Sequence, residues 1–330
     1  STIDALFTAP DGLAVKAHVS SVLSELEQIT HGVYLLRELS KRSLDMIMSF
    51  GERLSAYIIA KYSTSVGLNA KFVDTRPLVI TDDHFGAARV QFERTVANIR
   101  SHYQEHPGVK IITGFIASSP DGVTTTLGRG GSDFTASIFG AALKADEIQI
   151  WTDVNGVMTS NPVKVPTAFP LKTLSYEEAM ELSHFGAKVL HPPTIQPALE
   201  QNISLKIMNT FQPDFPGTLI QKEPEANHFI IKGISSIQDI SLLRIQGSGM
   251  IGVPGIASRI FSTLAREHIN IILITQASSE HSICVAVVPE KAQAAKKMIE
   301  AEFDLEIRAR MVDPVIIEKH VILGTCATVL

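Results

Sequence analysis

A glycine-rich stretch near the middle of the chain has the residue types that bind an anion. It reads Thr124-Thr-Thr-Leu-Gly-Arg-Gly-Gly-Ser-Asp133 and stands between a predicted strand and a predicted helix. Three glycines in four positions let backbone N–H groups converge without Cβ interference, and the following helix contributes its positive end. Arg129 adds a planar fork for a carboxylate or a phosphate. An ordinary glycine turn, in which Ser132 caps the helix, is the alternative, because the stretch lacks the lysine of a P-loop.

Polar side chains at other places could serve the same chemistry. Trp151-Thr-Asp153 closes a predicted strand, where the carboxyl ends of parallel strands face a ligand crevice, although a simple turn is the alternative. Lys188 could reach a phosphate or be a solvated surface lysine. His191 precedes a proline, which holds the backbone extended, and we expect a structural role. Ser49-Phe-Gly-Glu52 is predicted to begin a helix, where Glu52 alone would be a capping carboxylate.

Two glycine pairs in the second half flank a predicted strand-to-helix turn. Gly247-Ser-Gly249 and Gly252-Val-Pro-Gly255 could hold a small anionic or zwitterionic ligand, or could form a tight turn only. The histidines are scattered, and no His/Cys spacing is typical of a tightly bound metal. The sequence therefore predicts no metal site of the protein's own.

Strands and helices alternate through the first two thirds of the chain. Because crossovers connect the strands, this alternation predicts a mostly parallel sheet covered on both faces. Ser175 and Glu178 fit a capping box at one helix start. The predicted elements are helical residues 13–62, helices at 89–102, 134–143 and 176–185, and strands at 110–116, 147–151 and 203–208.

A polar stretch at 221–227 is predicted to separate two domains, the first covering 1–222. The second, at 228–312, has the βαββαβ order of a ferredoxin-like domain. Its predicted elements are strands at 240–245, 270–275, 282–288 and 306–311 and helices at 254–268 and 291–303. The tail, 313–330, opens like another strand, either a linker or the start of an incomplete second domain of the same kind.

Composition excludes several classes of protein. The 330 residues are 45% hydrophobic and 19% charged, which is enough to bury a core and argues against disorder. No apolar run approaches the roughly eighteen residues of a membrane span. A net charge of −5 disfavours a general nucleic-acid binder. Two cysteines and no basic-apolar leader lead us to expect a reduced cytoplasmic protein without a secretory signal.

Six ordered blocks of the sequence resemble the aspartokinases, in which an amino-acid-kinase fold is joined to ACT regulatory domains. The blocks are Ser49–Glu52, Thr81–Gly86, Thr124–Asp133, Trp151–Gly156, Phe185–Pro192 and Pro216–Thr218. In the second domain, Ile274–Glu280 is similar to the ACT domain of the threonine-sensitive branch that is fused to homoserine dehydrogenase. The resemblance implies an α/β, three-layer sandwich with a mostly parallel sheet and a C-terminal ferredoxin-like ACT region.

The resemblance implies transfer of the γ-phosphoryl group of ATP to the side-chain carboxylate of L-aspartate, the first step of the aspartate-family amino-acid pathway. That carboxylate has a reference pKa of about 3.9, so it attacks without a general base. The implied substrate residues are Arg129 for the α-carboxylate, Glu52 for the ammonium, and Gly130, Gly131 and Ser132 for the pocket wall. The implied catalytic residues are Asp133, which orients groups around the phosphoryl, and Lys188.

The same resemblance implies nucleotide and effector sites. ATP would arrive with Mg²⁺. Met158 stands where related enzymes carry tyrosine. A feedback amino acid, threonine rather than lysine, would bind the ACT region, which would pair across subunits in a homo-oligomer. The implied nucleotide positions are Thr152, Asp153, Met158, Lys188 and Val189. The implied effector positions are Gln276, Met250, Ile251, Gly252, Val253 and Pro254.

One family feature is not found in the sequence: the opening strand with Lys-Phe-Gly-Gly-Thr-Ser. That strand would bring a lysine and glycine amides to the phosphates. Losing such a preorganised cation typically costs on the order of 10²–10³ in rate, so a chain truly without it is predicted to be nearly inactive. The alternatives are another kinase of this fold, such as a glutamate kinase, and an inactive fragment that binds aspartate and effector. No initiator Met is present, so the sequence is expected to be part of a longer product.

Overall fold

The computed structural model describes residues 2–8, 11–184, 190–224, 231–276 and 281–328. The chain forms two compact units, one of Ser1–Gly233 with Ala327–Leu330 and the other of Ile234–Cys326. Within the described ranges, none of the helices combines the length and the apolar composition that crossing a membrane requires.

The first unit alternates helices and short strands. Its helices are α1 (Thr2–Leu6), α2 (Asp11–Leu36), α3 (Lys41–Ser65), α4 (Phe92–Glu105), α5 (Gly131–Leu143), α6 (Tyr176–His184) and α7 (Pro192–Gln201). Its strands are β1 (Lys71–Val73), β2 (Lys110–Ile112), β3 (Ile116–Ser118), β4 (Thr124–Thr126), β5 (Glu147–Thr152), β6 (Thr173–Leu174), β7 (Ser204–Asn209) and β8 (Thr218–Ile220).

The long helical region predicted at 13–62 is two helices. The chain leaves α2 through Arg37, which has a positive φ of 54°, and Ser40 then caps α3 by accepting a hydrogen bond from the Ser43 N–H at 3.1 Å. Glu52 therefore lies in the middle of α3. The prediction that a helix begins at Ser49, with Glu52 near its N-terminus, is wrong. The serine that caps the helix is Ser40, nine residues before Ser49.

The single strand predicted at 110–116 is also wrong. The stretch forms β2 and β3, which pair with different partners, β1 and β4. Phe115 separates them with a φ of 66°, a left-handed conformation that interrupts an extended chain. As shown below, this interruption places Gly114 beside the helix that carries Glu52.

Parallel and antiparallel pairs are mixed in the first unit. β1 pairs with β2, β5 with β7 and β6 with β8 in parallel, whereas β3–β4 and β7–β8 are antiparallel. The predicted alternation of strands and helices is confirmed. Since β5 and β7 run in register from Glu147↔Ser204 to Thr152↔Asn209, their carboxyl ends open side by side.

Two apolar cores hold these elements. One gathers Val79, Ile99 and Ile138 between α4, α5 and the first strands. The other centres on Leu205 and Ile207 of β7, both fully buried. Burying one such side chain contributes about 1.5–3 kcal/mol, so these residues fix β7 firmly in the core. The capping box predicted for α6 is confirmed: Ser175 N donates to Glu178 Oε2 at 2.7 Å, and Glu178 N donates to Ser175 Oγ at 3.1 Å.

The second unit is one sheet with helices packed on it. Its strands are β9 (Ile231–Gln246), β10 (Leu273–Gln276), β11 (Ser282–Val287) and β12 (Ile316–Thr328), in the spatial order β10-β11-β9-β12. Residues 231–233 of β9 and 327–328 of β12 belong to the first unit. Its helices are α8 (Ile256–Arg266), α9 (Pro289–Glu302) and α10 (Asp304–Arg308). The predicted ferredoxin-like order of the first five elements is confirmed.

The fourth strand predicted at 306–311 is wrong, because α10 begins at Asp304. Arg259 of α8 explains the helix: its guanidinium lies 4.1 Å from the centre of the Phe303 ring and donates to both Glu302 and Glu306. An arginine that pairs with Glu302 and with Glu306, four positions later, favours a helical turn at Glu306. The strand expected at the start of the tail is confirmed as β12, and it takes the fourth place in the sheet, beside β9.

Candidate active site

Glu52 lies at the centre of the candidate site. Burial raises the pKa of its carboxyl above the ordinary range of a glutamate, and hydrogen bonds with the Gly114 backbone and the Ser132 side chain oppose that rise. These three residues come from α3, from the turn after β2 and from the start of α5. Predicted substrate residues that are eighty positions apart in sequence are thus brought together, and Gly114 is an addition that the sequence did not suggest.

Gly114 and Ser132 are in close contact. A Cβ atom on Gly114 would lie 3.0 Å from the Ser132 Cα, so no larger residue fits without displacing the start of α5. Ser132 does not cap α5, which corrects the alternative of a serine-capped turn. The N-cap is Gly130, with a φ of 70°, and the Ser132 side chain instead acts to lower the pKa of Glu52.

The glycine-rich loop packs tightly on both sides. A Cβ on Gly130 would lie 2.6 Å from the His191 Cβ, and one on Gly131 would lie 2.8 Å from the Phe115 ring. Both distances are shorter than a van der Waals contact permits. His191 has the extended backbone predicted for a residue before proline (φ −98°, ψ 133°), and it acts as a wall for the loop. Burial lowers the pKa of His191, and the nearby Arg129 charge lowers it further.

Arg129 is the exposed cation of this loop. Among the described residues it forms no hydrogen bond or ion pair, and its guanidinium remains available to a ligand. Four residues after Arg129, the chain reaches Asp133 in the first turn of α5. Burial raises the pKa of Asp133, while the helix N-terminus favours its ionised form.

A second group of predicted residues lies where β5 ends. Thr152 donates to the carboxylate of the exposed Asp153 at 3.2 Å. The turn that follows packs on Thr218, whose Oγ1 accepts from Val157 N at 2.9 Å and lies only 2.3 Å from where a Cβ on Gly156 would stand. Two of the blocks, Trp151–Gly156 and Pro216–Thr218, are therefore in direct contact.

The remaining nucleotide positions are less completely described. Met158 is half-buried and forms an isolated bridge with Pro170. Lys188 and Val189 lie outside the described residues.

Five of the six predicted effector positions line one cavity of about 390 Å³ in the second unit. That volume is typical of a small-molecule site. Ile251 is not among the lining residues and is half-exposed. The cavity is lined by Met250, Gly252, Val253, Pro254, Gly255, Ile256, Ala257, Gln276 and Ile283.

The N-terminus of α8 opens into this cavity. Its N-cap is Gly255, with a φ of 91° and no side-chain hydrogen bond, so the first N–H groups of α8 have no side-chain cap. Gln276 supplies an amide, while Met250, Ile256 and Ile283 supply apolar surface. This arrangement suits a small ligand with an anionic group and an uncharged remainder.

The chain matches two known families. Residues 2–209 match the amino acid kinase family, and residues 243–303 match the ACT domain. The chain belongs to the amino acid kinase family and carries a C-terminal ACT domain, as the sequence motifs predicted.

Individual proteins similar to this chain include aspartokinases. Over 311 residues the chain is 37% identical to the chloroplastic bifunctional aspartokinase/homoserine dehydrogenase 2 of Arabidopsis thaliana, covering 92% of this chain and 34% of that protein. Among solved structures, E. coli aspartokinase III in complex with aspartate and ADP (R-state) has a TM-score of 0.81 and 26% identity, covering 98% of this chain and 71% of that one. The complex of the same enzyme with lysine and aspartate (T-state) has a TM-score of 0.74 and 27% identity, with the same coverage.

The chain thus spans about a third of the length of the bifunctional relatives it matches, and about half the length of the chloroplastic aspartokinase 1 of Arabidopsis thaliana. The resemblance to aspartokinases read from the six blocks is confirmed, and the amino-acid-kinase fold with a mixed α/β sheet is the fold of this chain.

Proposed function

We propose that this chain is the catalytic and regulatory part of an aspartate kinase, which transfers the γ-phosphoryl group of ATP to the β-carboxylate of L-aspartate. The observation that carries the proposal is the convergence of Glu52, Gly114 and Ser132 at the start of α5, close after Arg129. The related E. coli aspartokinase III was solved with aspartate and ADP, which supports the same ligands here.

The proposed site recognises both charges of an amino acid. Glu52 is an acceptor for the substrate ammonium, and its burial strengthens that ion pair because water screens it less. Arg129 is a bidentate partner for the α-carboxylate. Gly130, Gly131 and Ser132 form the wall between them, and the Gly130–His191 contact holds that wall in place.

The chemistry then requires positioning more than proton transfer. At neutral pH the β-carboxylate of aspartate is ionised and attacks the γ-phosphorus directly, so no general base is needed. MgATP is the second substrate, and Thr152 and Asp153 at the end of β5 are proposed to contact its nucleotide part. Asp133 is proposed to orient groups around the transferred phosphoryl, and Lys188 to neutralise its developing charge.

The activity is tested by trapping the acyl phosphate with hydroxylamine while ATP consumption is followed. In a protein that includes the Lys-Phe-Gly-Gly-Thr-Ser strand, we expect ATP-dependent hydroxamate with L-aspartate and none with L-glutamate. Equal rates with glutamate would favour the glutamate kinase alternative. Calorimetric binding of aspartate and ADP without any turnover would instead favour the inactive, ligand-binding alternative.

The ACT cavity is proposed to bind a feedback amino acid. Its α-carboxylate would meet the uncapped N–H groups of α8, and Gln276 would hydrogen-bond its polar atoms. Among the lining residues that the structure describes there is no carboxylate for a lysine ammonium, which supports threonine over lysine. The test is thermal stabilisation by each amino acid, with inhibition of the kinase by threonine alone as the expected result.

The second unit is also proposed to join two copies of the chain. β10 is an edge strand of the described sheet, and Ile274 on it is half-exposed. A free strand edge with an apolar side chain is a template for pairing with a second copy. Because Gln276 ends the same strand, such pairing would place the effector cavity at the interface. Light scattering on the wild type and on Ile274→Pro, which removes a backbone donor that faces away from β11, tests the proposal: the variant is expected to dissociate.

A reducing compartment such as the cytoplasm is proposed for the protein. Cys284 and Cys326 are both free thiols, the second of them exposed. Exposed thiols persist where disulfides do not form. Alkylation of intact cells before lysis is expected to label Cys326.

A further inference from the structure

We infer that Asp45 is a positioning residue for aspartate binding: its buried carboxylate fixes the loop that carries Arg129 to the helix that carries Glu52. The inference rests on the proposed function, since it assigns Asp45 to the same substrate site without a contact to the substrate. Nothing in the sequence motifs singled this residue out.

The carboxylate of Asp45 is one of the most deeply buried charges of the described chain, at 1% exposure. Its Oδ2 accepts hydrogen bonds from the backbone N–H groups of Gly86 and Thr126, at 2.9 and 3.0 Å. Its Oδ1 accepts from the Thr126 hydroxyl at 2.8 Å. No cationic side chain within the described ranges forms an ion pair with it, so these donors are what stabilises the charge.

The donors belong to two loops that meet at this point. Gly86 ends the polar stretch 81–86, and Thr126 is the last residue of β4, three residues before Arg129. The loops touch each other as well: a Cβ on Gly128 would lie 3.0 Å from the Gly86 carbonyl oxygen. Asp45 therefore holds both loops where the glycine-rich stretch begins.

Asp45 and Glu52 stand on the same helix, α3, seven residues apart. Seven residues are two helical turns, so both side chains leave the helix on the same face. Glu52 is the proposed partner of the substrate ammonium, and Arg129 that of the α-carboxylate. The link from α3 through Asp45 to Thr126 therefore sets the spacing between the two groups that must match the two charges of one amino acid.

A carboxylate suits this place because it accepts several hydrogen bonds and donates none. An amide of the same shape can accept from the two backbone N–H groups with its oxygen, but it then turns its NH2 toward the Thr126 hydroxyl, which donates to Asp45, and it lacks the negative charge. Burying a charge without a cation is costly, and packing alone would be served as well by an apolar residue. The free-energy cost of burying this charge is offset if the charge holds α3 and the glycine-rich loop at a fixed distance, since a small misplacement of a binding group greatly reduces catalysis.

The test compares Asp45→Asn with the wild type in the hydroxamate assay and in calorimetric titrations with aspartate and with ADP. We expect the KM and Kd for aspartate to rise roughly tenfold or more, while the KM for ATP and the Kd for ADP change little. Thr126→Val, which removes only the hydroxyl donor, is expected to shift aspartate binding in the same direction by a smaller factor. This milder variant decides the matter if Asp45→Asn does not fold.

The matched control is Tyr176→Phe, which deletes a buried hydrogen bond, from Tyr176 Oη to the Ile203 carbonyl at 2.6 Å, in the other core of the same unit. It is expected to lower the melting temperature and to leave the KM for aspartate unchanged. If the Asp45 and Thr126 variants lower only the melting temperature, as the control does, or weaken aspartate and ATP equally, the inference is overturned. If the wild-type protein binds aspartate, such a result overturns only the role of Asp45, and the proposed function stands. If the wild-type protein neither binds nor phosphorylates aspartate, both the role of Asp45 and the proposed function are overturned.

Discussion

Lys232 and Glu178 form a buried ion pair in the first unit. The ammonium nitrogen lies 2.8 Å from Oε1 and 2.9 Å from Oε2, and the two side chains are 3% and 11% exposed. Glu178 also accepts the Ser175 N–H at the start of α6. One carboxylate therefore neutralises a buried cation and caps α6.

Replacing Lys232 by methionine leaves the Glu178 carboxylate buried without a cation. We expect the free energy of unfolding to fall by about 3–5 kcal/mol, measured by urea denaturation. Lys41→Met, at an exposed position in α3, is the control and should change stability by less than about 0.5 kcal/mol. Equal losses in both variants would contradict the importance of the pair.

The binding of aspartate should depend on pH through Glu52. Burial raises the pKa of this carboxyl, so it takes up a proton at a higher pH than an ordinary glutamate does. Once protonated it no longer pairs with the substrate ammonium. We therefore expect kcat/KM for aspartate to fall as the pH is lowered through that raised pKa, while kcat/KM for ATP at saturating aspartate changes less. In Glu52→Gln, kcat/KM for aspartate should be low at every pH and should not fall further as the pH is lowered.

Asp133 is expected to lower the stability of the fold while it supports kinase activity. Because burial raises its pKa in the folded state, the unfolded chain loses the proton first as the pH rises. Stability is therefore lost between the unfolded and the folded pKa and stays lower above both. Asp133→Asn removes this cost, so we expect a higher melting temperature at neutral pH and no gain at a pH below both values. Kinase activity should drop sharply in the same variant; retained activity would contradict the role proposed for Asp133.

The effector cavity gives a prediction that needs no turnover. Gln276→Ala removes the amide that lines the cavity, while Met250 and the start of α8 stay in place. We expect threonine to raise the melting temperature of the wild type and to lose most of that effect in the variant. Lysine serves as the control ligand, and stabilisation by lysine alone would reverse the assignment of the effector.

The sequence predicted those features that depend on local residue order. The glycine-rich turn before α5 and the capping box of Ser175 and Glu178 are examples, since each is complete within ten residues. The ferredoxin-like order of the second unit followed from helix and strand periods. The fourth strand was misplaced because Arg259, more than forty residues earlier, holds the chain helical at Glu306.

What sequence reasoning missed was set by contacts between distant segments. Asp45 resembles any polar residue of a long helix, and its donors come from residues 41 and 81 positions away. Gly114 sits in a stretch that looked like an unbroken strand until the positive φ of Phe115 interrupted it. Neither local propensity nor the motif blocks carry such information.

The close packing around the glycine-rich loop also constrains how this loop can diverge. A side chain at Gly131 would collide with the Phe115 ring, and one at Gly130 with His191, so neither glycine can change by itself. Each replacement needs a smaller partner at the second position. Sequences that carry a larger residue in place of Gly131 should therefore carry a smaller one in place of Phe115. The two positions are expected to covary.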